Sequence, residues 1–225
     1  MISDNLNHIR SNIHRLENAY QRTSNSVQLL AVSKKKPVGD IQQAIQAGQR
    51  SFGENYADEG VEKILAIADA SLDWHYIGHI QSNKTRLIAS HYDWVQSVER
   101  AKILERLAQH RPEQMPPLNI CLQVNIDGED SKSGCTPQQL TELAALAADQ
   151  PRIILRGIMA IPAPQTDVSA QRAVFAQLAD LYQSLQSSYP QMDTLSMGMT
   201  GDMEAAIAEG ATMVRIGTAI FGSRD

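Results

Sequence analysis

Residues 27–37 read VQLLAVSKKKP, an apolar run that stops at three lysines and a proline. Aliphatic and β-branched residues in so short a run are typical of a buried strand, and Pro37 indicates the change to a loop. Runs of the same kind recur along the chain. They are RSFGEN (50–55), WHYIG (74–78), WVQSV (94–98), NICLQVN (119–125), ILRGIMA (154–160), TLSMG (194–198) and MVRIG (213–217). The sequence therefore predicts about eight strands.

Helical segments alternate with these runs. Thr136 and Pro137 supply an N-cap and a proline at the first helical position, and apolar residues then recur at helical spacing. A long helix is predicted over 169–187, with Val174, Leu178, Leu181 and Leu185 on one face. An amphipathic helix precedes the first strand. Its apolar stripe consists of Leu6, Ile9, Ile13, Leu16 and Tyr20.

Alternating strands and helices favour parallel strands joined by right-handed crossovers. About eight such units in 225 residues match a single (β/α)8 TIM barrel, here with an extra N-terminal helix. The proline-rich segments 111–117 and 161–165 are short enough to be loops, so residues 1–225 are expected to form one domain. A doubly wound open sheet is the competing fold, because periodicity alone does not reveal whether the sheet closes.

Composition argues against several classes of function. The formal net charge is -5, so the chain lacks the excess of cations that binding to nucleic acid or to an anionic membrane surface requires. No run approaches the roughly 18 apolar residues of a membrane span. The N-terminus lacks the apolar segment of a signal peptide, so a cytoplasmic protein is expected.

The cysteines and histidines do not have the spacing of a redox or metal motif. Cys121 and Cys135 are far apart and are expected to be buried, reduced thiols. His75 and His79 are four residues apart, but they lie in a segment predicted as a strand. They would therefore not share a helix face as zinc ligands do, and no metal site is predicted.

The residues that follow the strands form the functional face of a (β/α)8 barrel. Three such places are informative: Ser33-Lys34, the segment 196–201 (SMGMTG) and the segment 215–218 (RIGT). The glycines allow a ligand to approach the backbone closely, and a helix that begins near Asp202 would offer N–H groups to an anion. Loops after strands seven and eight are the usual phosphate site of this fold, so a phosphorylated ligand is expected.

A lysine at the end of the first strand would lie beside that phosphate site. Lysine forms a Schiff base with an aldehyde once burial or neighbouring cations, such as Lys35 and Lys36, lower the pKa of its amine. The pattern therefore indicates an aldehyde cofactor on Lys34. We favour Lys34 over Lys36 because the rigid strand would still hold it, whereas Pro37 marks the break into a loop. A solvated lysine cluster is the alternative interpretation.

Seven motifs, in order along the chain, resemble one family. They are AVSKKKP (31–37), FGENYADEGVEKI (52–64), WHYIGHIQSNK (74–84), VNIDGEDSKSG (124–134), RGIMAIP (156–162), LSMGMTGDMEAAI (195–207) and VRIGTAIFG (214–222). Together they are similar to the YggS-like pyridoxal phosphate homeostasis proteins, single-domain relatives of the alanine racemase barrel. The similarity covers nearly the whole chain.

The resemblance implies a role for each matching residue. Lys34 would form the internal aldimine with pyridoxal 5′-phosphate (PLP), Asn55 would lie near the ring, and Arg215 would contact the pyridine nitrogen. A permanent cation there would keep that nitrogen unprotonated and weaken the cofactor as an electron sink. The residues that would hold the phosphate lie in the last two loops: Ser196, Gly198, Met199, Gly217 and Thr218.

Three positions depart from the family pattern. Lys35 stands where a smaller polar residue is expected, Thr200 replaces a serine, and His79 replaces a proline. None of them alters the expected Schiff base. Lys132, in the loop after the fifth strand, would be able to reach the same mouth, although a charge facing water is the simpler interpretation.

The resemblance implies a PLP-binding protein that acts in intracellular PLP homeostasis without a clear catalytic activity of its own, with PLP-dependent apoenzymes as candidate partners. The first alternative is a fold-type III amino-acid racemase, but its second base would come from a further domain, and the chain ends at Asp225 soon after the barrel. The second is a barrel enzyme on a phosphorylated sugar, with Glu54 or Asp127 as an extra carboxylate. A monomer is expected, since the barrel helices face outward.

Overall fold

All eight predicted strands form, and they close into one barrel. The structure is a computed structural model that describes residues 1–128 and 133–223, so Lys132 lies outside the described residues. Each strand pairs in parallel with the next, and the last pairs with the first. The strands are β1 (Gln28–Val32), β2 (Ser51–Glu54), β3 (Asp73–Tyr76), β4 (Trp94–Val98), β5 (Leu118–Gln123), β6 (Ile153–Met159), β7 (Thr194–Ser196) and β8 (Met213–Ile216). The predicted (β/α)8 barrel is confirmed, and the open sheet is wrong.

Helices surround the barrel, as the alternating pattern predicted. They are α1 (Ile2–Ala19), α2 (Val38–Gln46), α3 (Ala57–Ile67), α4 (Thr85–Ala89), α5 (Ala101–His110), α6 (Pro137–Ala148), α7 (Val168–Ser188), α8 (Met203–Ala208) and α9 (Thr218–Phe221). A short 3-10 turn, Ser82–Lys84, leads into α4. No described helix combines the length and the apolar character that crossing a membrane requires.

The N-terminal helix α1 covers the outside of the barrel where its first and last strands meet. It packs against α2, α8 and α9, and Asn5 Nδ2 donates a hydrogen bond of 2.9 Å to the carbonyl of Ile220 in α9. Full burial of an aliphatic side chain contributes roughly 1.5–3 kcal/mol before entropy is counted. Four residues of the predicted stripe are buried, Leu6, Ile9, Ile13 and Leu16, whereas Tyr20, just beyond the helix, is only partly buried.

The start of α6 follows the sequence signal closely. Pro137 is its first residue, and Thr136 Oγ1 accepts a hydrogen bond from the Gln139 N–H. The Gln139 side chain in turn accepts one from the Thr136 N–H at 3.0 Å, which completes a capping box. The predicted N-cap is confirmed.

The buried face of α7 is rotated from the one predicted. Leu178 and Leu185 are buried as expected, but Phe175 and Tyr182 take the places given to Val174 and Leu181. Aromatic rings bury more area than aliphatic side chains do, so they determine which face turns inward.

Gly157 lets β6 and β7 approach closely. It pairs with Thr194, and a Cβ at position 157 would lie 1.6 Å from the Thr194 carbonyl oxygen. Any side chain there would therefore push the two strands apart.

We expect Gly157→Ala to lower the free energy of unfolding by at least about 2 kcal/mol, because the added methyl group overpacks a backbone contact. Gly39→Ala is the matched control, since a Cβ there meets nothing within 4 Å. It lies in the first turn of α2, where alanine leaves stability unchanged or raises it by up to about 1 kcal/mol. Urea unfolding measures the free energy of unfolding of both variants. Equal changes in the two variants would contradict this account of the β6–β7 contact.

Candidate functional site

An open cavity lies at the C-terminal mouth of the barrel and measures about 740 Å³, including the part open to solvent. Its apolar walls are Val32, Ile77 and Ile161. An apolar lining with a few polar groups is typical of a small-molecule site. Six of the eight residues predicted to contact a cofactor line the cavity: Lys34, Asn55, Met199, Arg215, Gly217 and Thr218.

Lys34 lies in the turn after β1, two residues beyond the end of the strand. The expectation that the strand itself holds this lysine is therefore wrong. The turn is nevertheless fixed, because the Ser33 N–H donates to the Gly53 carbonyl at 3.0 Å and the Lys36 N–H donates to the Ser33 carbonyl at 3.1 Å. Lys35 has a φ of +59°, which few lysines adopt and which reverses the chain here.

A buried ion cluster, consisting of Glu54, Lys63 and Glu59, anchors this turn. Lys63 Nζ lies 2.9 Å from Glu54 and 2.6 Å from Glu59, and Glu54 is fully buried. Lys63 also donates to the Ser33 carbonyl at 2.8 Å, and the Ser33 hydroxyl donates to Glu54 at 2.6 Å. On the other side of Lys34, the Lys35 N–H donates to Glu59 at 2.5 Å. The cluster therefore fixes both neighbours of Lys34.

The carboxylates proposed for a sugar enzyme are engaged elsewhere. Burial raises the pKa of Glu54, while the charge and hydrogen bond of Lys63 oppose that rise. Asp127 accepts a hydrogen bond from the Ala163 N–H at 2.9 Å. Neither belongs to the described lining of the cavity.

Arg215 places a guanidinium group at the inner end of the cavity. The residue is 4% exposed, and its Nη2 donates to the Ala160 carbonyl at 2.8 Å. Burial lowers its pKa to about 10, with Asp202 opposing, so the group is charged at neutral pH. No carboxylate in the described parts of the chain forms an ion pair with it. A buried cation of this kind favours a ligand that supplies negative charge or a hydrogen-bond acceptor.

Ser196, predicted to hold a phosphate, is fully buried beneath the cavity and does not line it. Its hydroxyl accepts a hydrogen bond from Arg215 Nη1 at 2.8 Å and donates one to Gln96 Oε1 at 2.6 Å. Since both bonds are made inside the barrel, the hydroxyl serves Arg215 and not a ligand.

The loop after β7 differs from the predicted phosphate site in two respects. Gly198 has a φ of +93°, and a Cβ there would lie 2.5 Å from the Cβ of Ala206, so backbone geometry and packing against α8 require this glycine. The Met199 N–H donates to the Asp202 carboxylate at 2.6 Å. It is therefore not available to a phosphate, although the Met199 side chain lines the cavity.

Three other backbone N–H groups at the cavity have no acceptor among the described residues. No hydrogen bond between described residues uses the N–H of Thr200, Gly217 or Thr218 as a donor. All three residues line the cavity. They offer the kind of backbone donors that phosphate oxygens accept.

Asn55 contributes a buried amide oxygen without a hydrogen-bond partner among the described residues. Its Oδ1 is buried and makes no hydrogen bond to any described group. Its main chain is packed tightly, since a Cβ at Gly78 would lie 2.0 Å from the Asn55 carbonyl oxygen. An unsatisfied buried polar atom costs about 1–3 kcal/mol.

Some lining residues were not predicted from the sequence. Val32 ends β1, Ile77 follows β3, and Ile161 lies just beyond β6. All three positions lie at or just after the end of a strand, where the functional face of a barrel is expected. An aliphatic side chain, however, gives no indication of the chemistry of a site. Lys36, which was not favoured as the Schiff-base lysine, also lines the cavity, and its Nζ donates to the Ser223 carbonyl at 2.9 Å.

The cysteines lie in the core, as expected. Burial raises the pKa of Cys121 to about 12 and that of Cys135 to about 11, so neither thiol ionises at neutral pH. His75 is fully buried, whereas His79 is exposed and lies 3.7 Å from Glu99. Within residues 1–128 and 133–223, no three side chains group as a metal site.

The sequence matches the family described as "Alanine racemase, N-terminal domain" over residues 5–225. The chain belongs to this family. The pyridoxal phosphate homeostasis protein of Vibrio cholerae is 56% identical over 228 residues, with 100% of this chain and 97% of that protein covered. The protein of the same name in Escherichia coli K12 is 51% identical over 227 residues, with 100% and 97% covered.

Solved structures of other proteins share the barrel. PipY of Synechococcus elongatus with PLP bound is 35% identical, with a TM-score of 0.82 and coverage of 99% of this chain and 100% of that chain. Alanine racemase of Corynebacterium glutamicum has a TM-score of 0.67 at 14% identity, and the match covers 97% of this chain and 62% of that one. At this low identity the likeness to the racemase concerns the fold alone.

The buried ion cluster predicts an asymmetric response to mutation. Lys63→Met leaves the Glu54 carboxylate buried without its cation, so we expect a loss of about 3–5 kcal/mol in the free energy of unfolding. Glu54→Gln should cost less, because Lys63 keeps Glu59 as a partner. The double variant Glu54→Gln/Lys63→Met should recover much of the loss of the single Lys63 variant. Urea unfolding of the three variants tests this, and strictly additive effects would refute the coupling.

Proposed function

We propose that this protein binds PLP through a Schiff base on Lys34 and acts in intracellular PLP homeostasis, without a catalytic activity of its own. The observation that carries the proposal is the placement of Lys34 and a buried, charged Arg215 in one cavity. The names of the relatives in V. cholerae and E. coli, and the PLP-bound structure of PipY, support it.

The residues of the cavity fit the chemical groups of PLP. Lys34 supplies the amine for the aldehyde, and Arg215 supplies a donor for the ring nitrogen. The phosphate would accept hydrogen bonds from the N–H groups of Thr200, Gly217 and Thr218, with the Thr218 hydroxyl as a further donor. Asn55, which lines the cavity, would lie near the ring. In this assignment Ser196 hydrogen-bonds to Arg215, Gly198 packs against α8, and the Met199 side chain lines the cavity.

The surroundings of the ring argue for holding the cofactor and against turnover. PLP supplies a reactive aldehyde and an electron-accepting ring, and its power as an electron sink depends on protonation of the ring nitrogen. Arg215 donates hydrogen bonds but holds its own protons tightly at neutral pH. The ring nitrogen would therefore receive a hydrogen bond without becoming protonated.

Amino-acid racemisation needs two bases on opposite faces of the substrate. Among the described residues that line the cavity, the ionisable side chains are Lys34, Lys36 and Arg215. Tyrosine, histidine and carboxylate side chains do not occur among them. The second base is therefore lacking in the described lining, and the racemase alternative receives no support from the cavity.

Delivery of PLP to apoenzymes is part of the proposal. The cavity is open to solvent, and two large apolar side chains at its rim are exposed: Met199 at 39% and Ile161 at 44%. A partner that receives the cofactor would find apolar contact area beside the opening. We further propose that the chain is a monomer in the cell's cytoplasm.

The assignment of the Schiff base predicts where PLP attaches. Purified protein incubated with PLP should show an absorption band near the visible range, and borohydride reduction should fix the label on the peptide that carries Lys34. Lys34→Ala should lose both the band and the label.

Lys36→Ala is the matched control, because Lys36 lines the same cavity, two residues away. This variant should keep the band and the Lys34 label, with affinity lowered only by the loss of one nearby charge. A label on Lys36 or Lys132 in the wild type, or a band that survives Lys34→Ala unchanged, would overturn the assignment.

A further inference from the structure

Four buried polar side chains form one continuous chain of hydrogen bonds inside the barrel. Arg215 Nη1 lies 2.8 Å from Ser196 Oγ, and this oxygen lies 2.6 Å from Gln96 Oε1. The Gln96 amide nitrogen lies 2.9 Å from Nδ1 of His75. All four residues are at most 4% exposed, and Arg215 alone lines the cavity. We call these residues the interior polar chain.

The direction of every hydrogen bond in the interior polar chain follows from Arg215. A guanidinium group only donates, so the Ser196 hydroxyl accepts from it and passes its single proton to Gln96 Oε1. The Gln96 amide nitrogen then faces His75 and also lies 3.1 Å from the sulfur of Met213. A thioether accepts but does not donate, so it favours the amide nitrogen at this position and disfavours the reversed amide.

His75 is consequently the last acceptor of the chain. Because Gln96 donates to Nδ1, the imidazole carries its proton on Nε2 and is neutral. Burial, with a smaller effect of Arg156, lowers its pKa to about 3, and its ring stacks on Trp94 with centroids 5.0 Å apart. Across the physiological pH range no member of the chain changes its charge, and none carries a negative charge.

This arrangement holds Arg215 without neutralising it. Nη1 is fixed by Ser196, and Nη2 is fixed by the Ala160 carbonyl. These two bonds define the plane of the guanidinium group, and the three remaining N–H bonds are left for other acceptors. A carboxylate in the place of Gln96 would offset the positive charge, whereas a neutral amide leaves it fully available to a ligand.

We propose that Gln96 and Ser196 are positioning residues that make the site select a ring with an unprotonated nitrogen. They would do so by aiming a fully charged Arg215 at that atom. This inference rests on the proposed function, since it assigns the determinant of cofactor recognition within the same cavity. A pyridine nitrogen accepts such a hydrogen bond, whereas a C–H at the same ring position would leave the guanidinium without an acceptor.

The test compares two ligands on each protein: PLP and its 1-deaza analogue, in which C–H replaces the ring nitrogen. The wild type should bind PLP at least about tenfold more tightly, since a hydrogen bond to a charged group is worth about 1.5–3 kcal/mol. Gln96→Leu and Ser196→Ala should each reduce this preference severalfold. Both variants should still form the borohydride-stable adduct on Lys34 with either ligand.

The ratio of the two affinities separates positioning from general destabilisation, because both ligands are measured on the same protein. Ile120→Val is the control, since Ile120 is fully buried in β5 but lies outside the interior polar chain. It should lower the melting temperature and leave the preference unchanged. An unchanged preference in Gln96→Leu, with the Lys34 adduct still formed, would overturn this inference but not the proposed function. Failure of the wild type to form the adduct with PLP would overturn the proposed function.

Discussion

The pairing of β8 with β1 is the constraint on which the candidate site depends. Leu30 lies opposite Arg215 and Ala31 opposite Ile216, so the barrel closes between the first and the last strand. This closure brings Lys34, which follows β1, to the cavity that Arg215 enters from β8. Helix α1 supports the closure from outside by packing on α8 and α9. Without closure of the barrel, the Lys34 amine and the Arg215 guanidinium group would lie at opposite edges of an open sheet.

Two buried polar systems then fix Lys34 and Arg215, two of the cationic residues that line the cavity. The buried ion cluster holds the turn on both sides of Lys34, and the interior polar chain holds Arg215. In both systems almost every donor and acceptor is satisfied by a neighbour in the protein, which is what burial of polar groups requires. The exceptions within them include Glu54 Oε2 and His75 Nε2, and Asn55 Oδ1, which lies outside both systems, is also buried without a partner among the described residues. Of these three residues only Asn55 lines the cavity.

Sequence patterns determined the fold well because strand and helix periods are local properties. The eight runs, the stripe of α1 and the cap of α6 each depend on neighbouring residues, and all of them were predicted. The roles within the site were harder to predict. Ser196 has the sequence context of a phosphate ligand, yet its hydroxyl bonds to Gln96, a hundred residues earlier in the chain. Likewise nothing near Lys34 in the sequence shows that Lys63 fixes its turn, because that contact exists only in the closed barrel.

The measurement that tests the central claim most directly is a crystal structure of the protein soaked with PLP. We predict continuous density between Lys34 Nζ and the aldehyde carbon, with Arg215 within hydrogen-bond distance of the ring nitrogen. The phosphate should accept bonds from the N–H groups of Thr200, Gly217 and Thr218, and the Ser196 hydroxyl should still bond to Gln96. Density on Lys36, a ring nitrogen remote from Arg215, or a phosphate bound by the Ser196 hydroxyl would contradict the account.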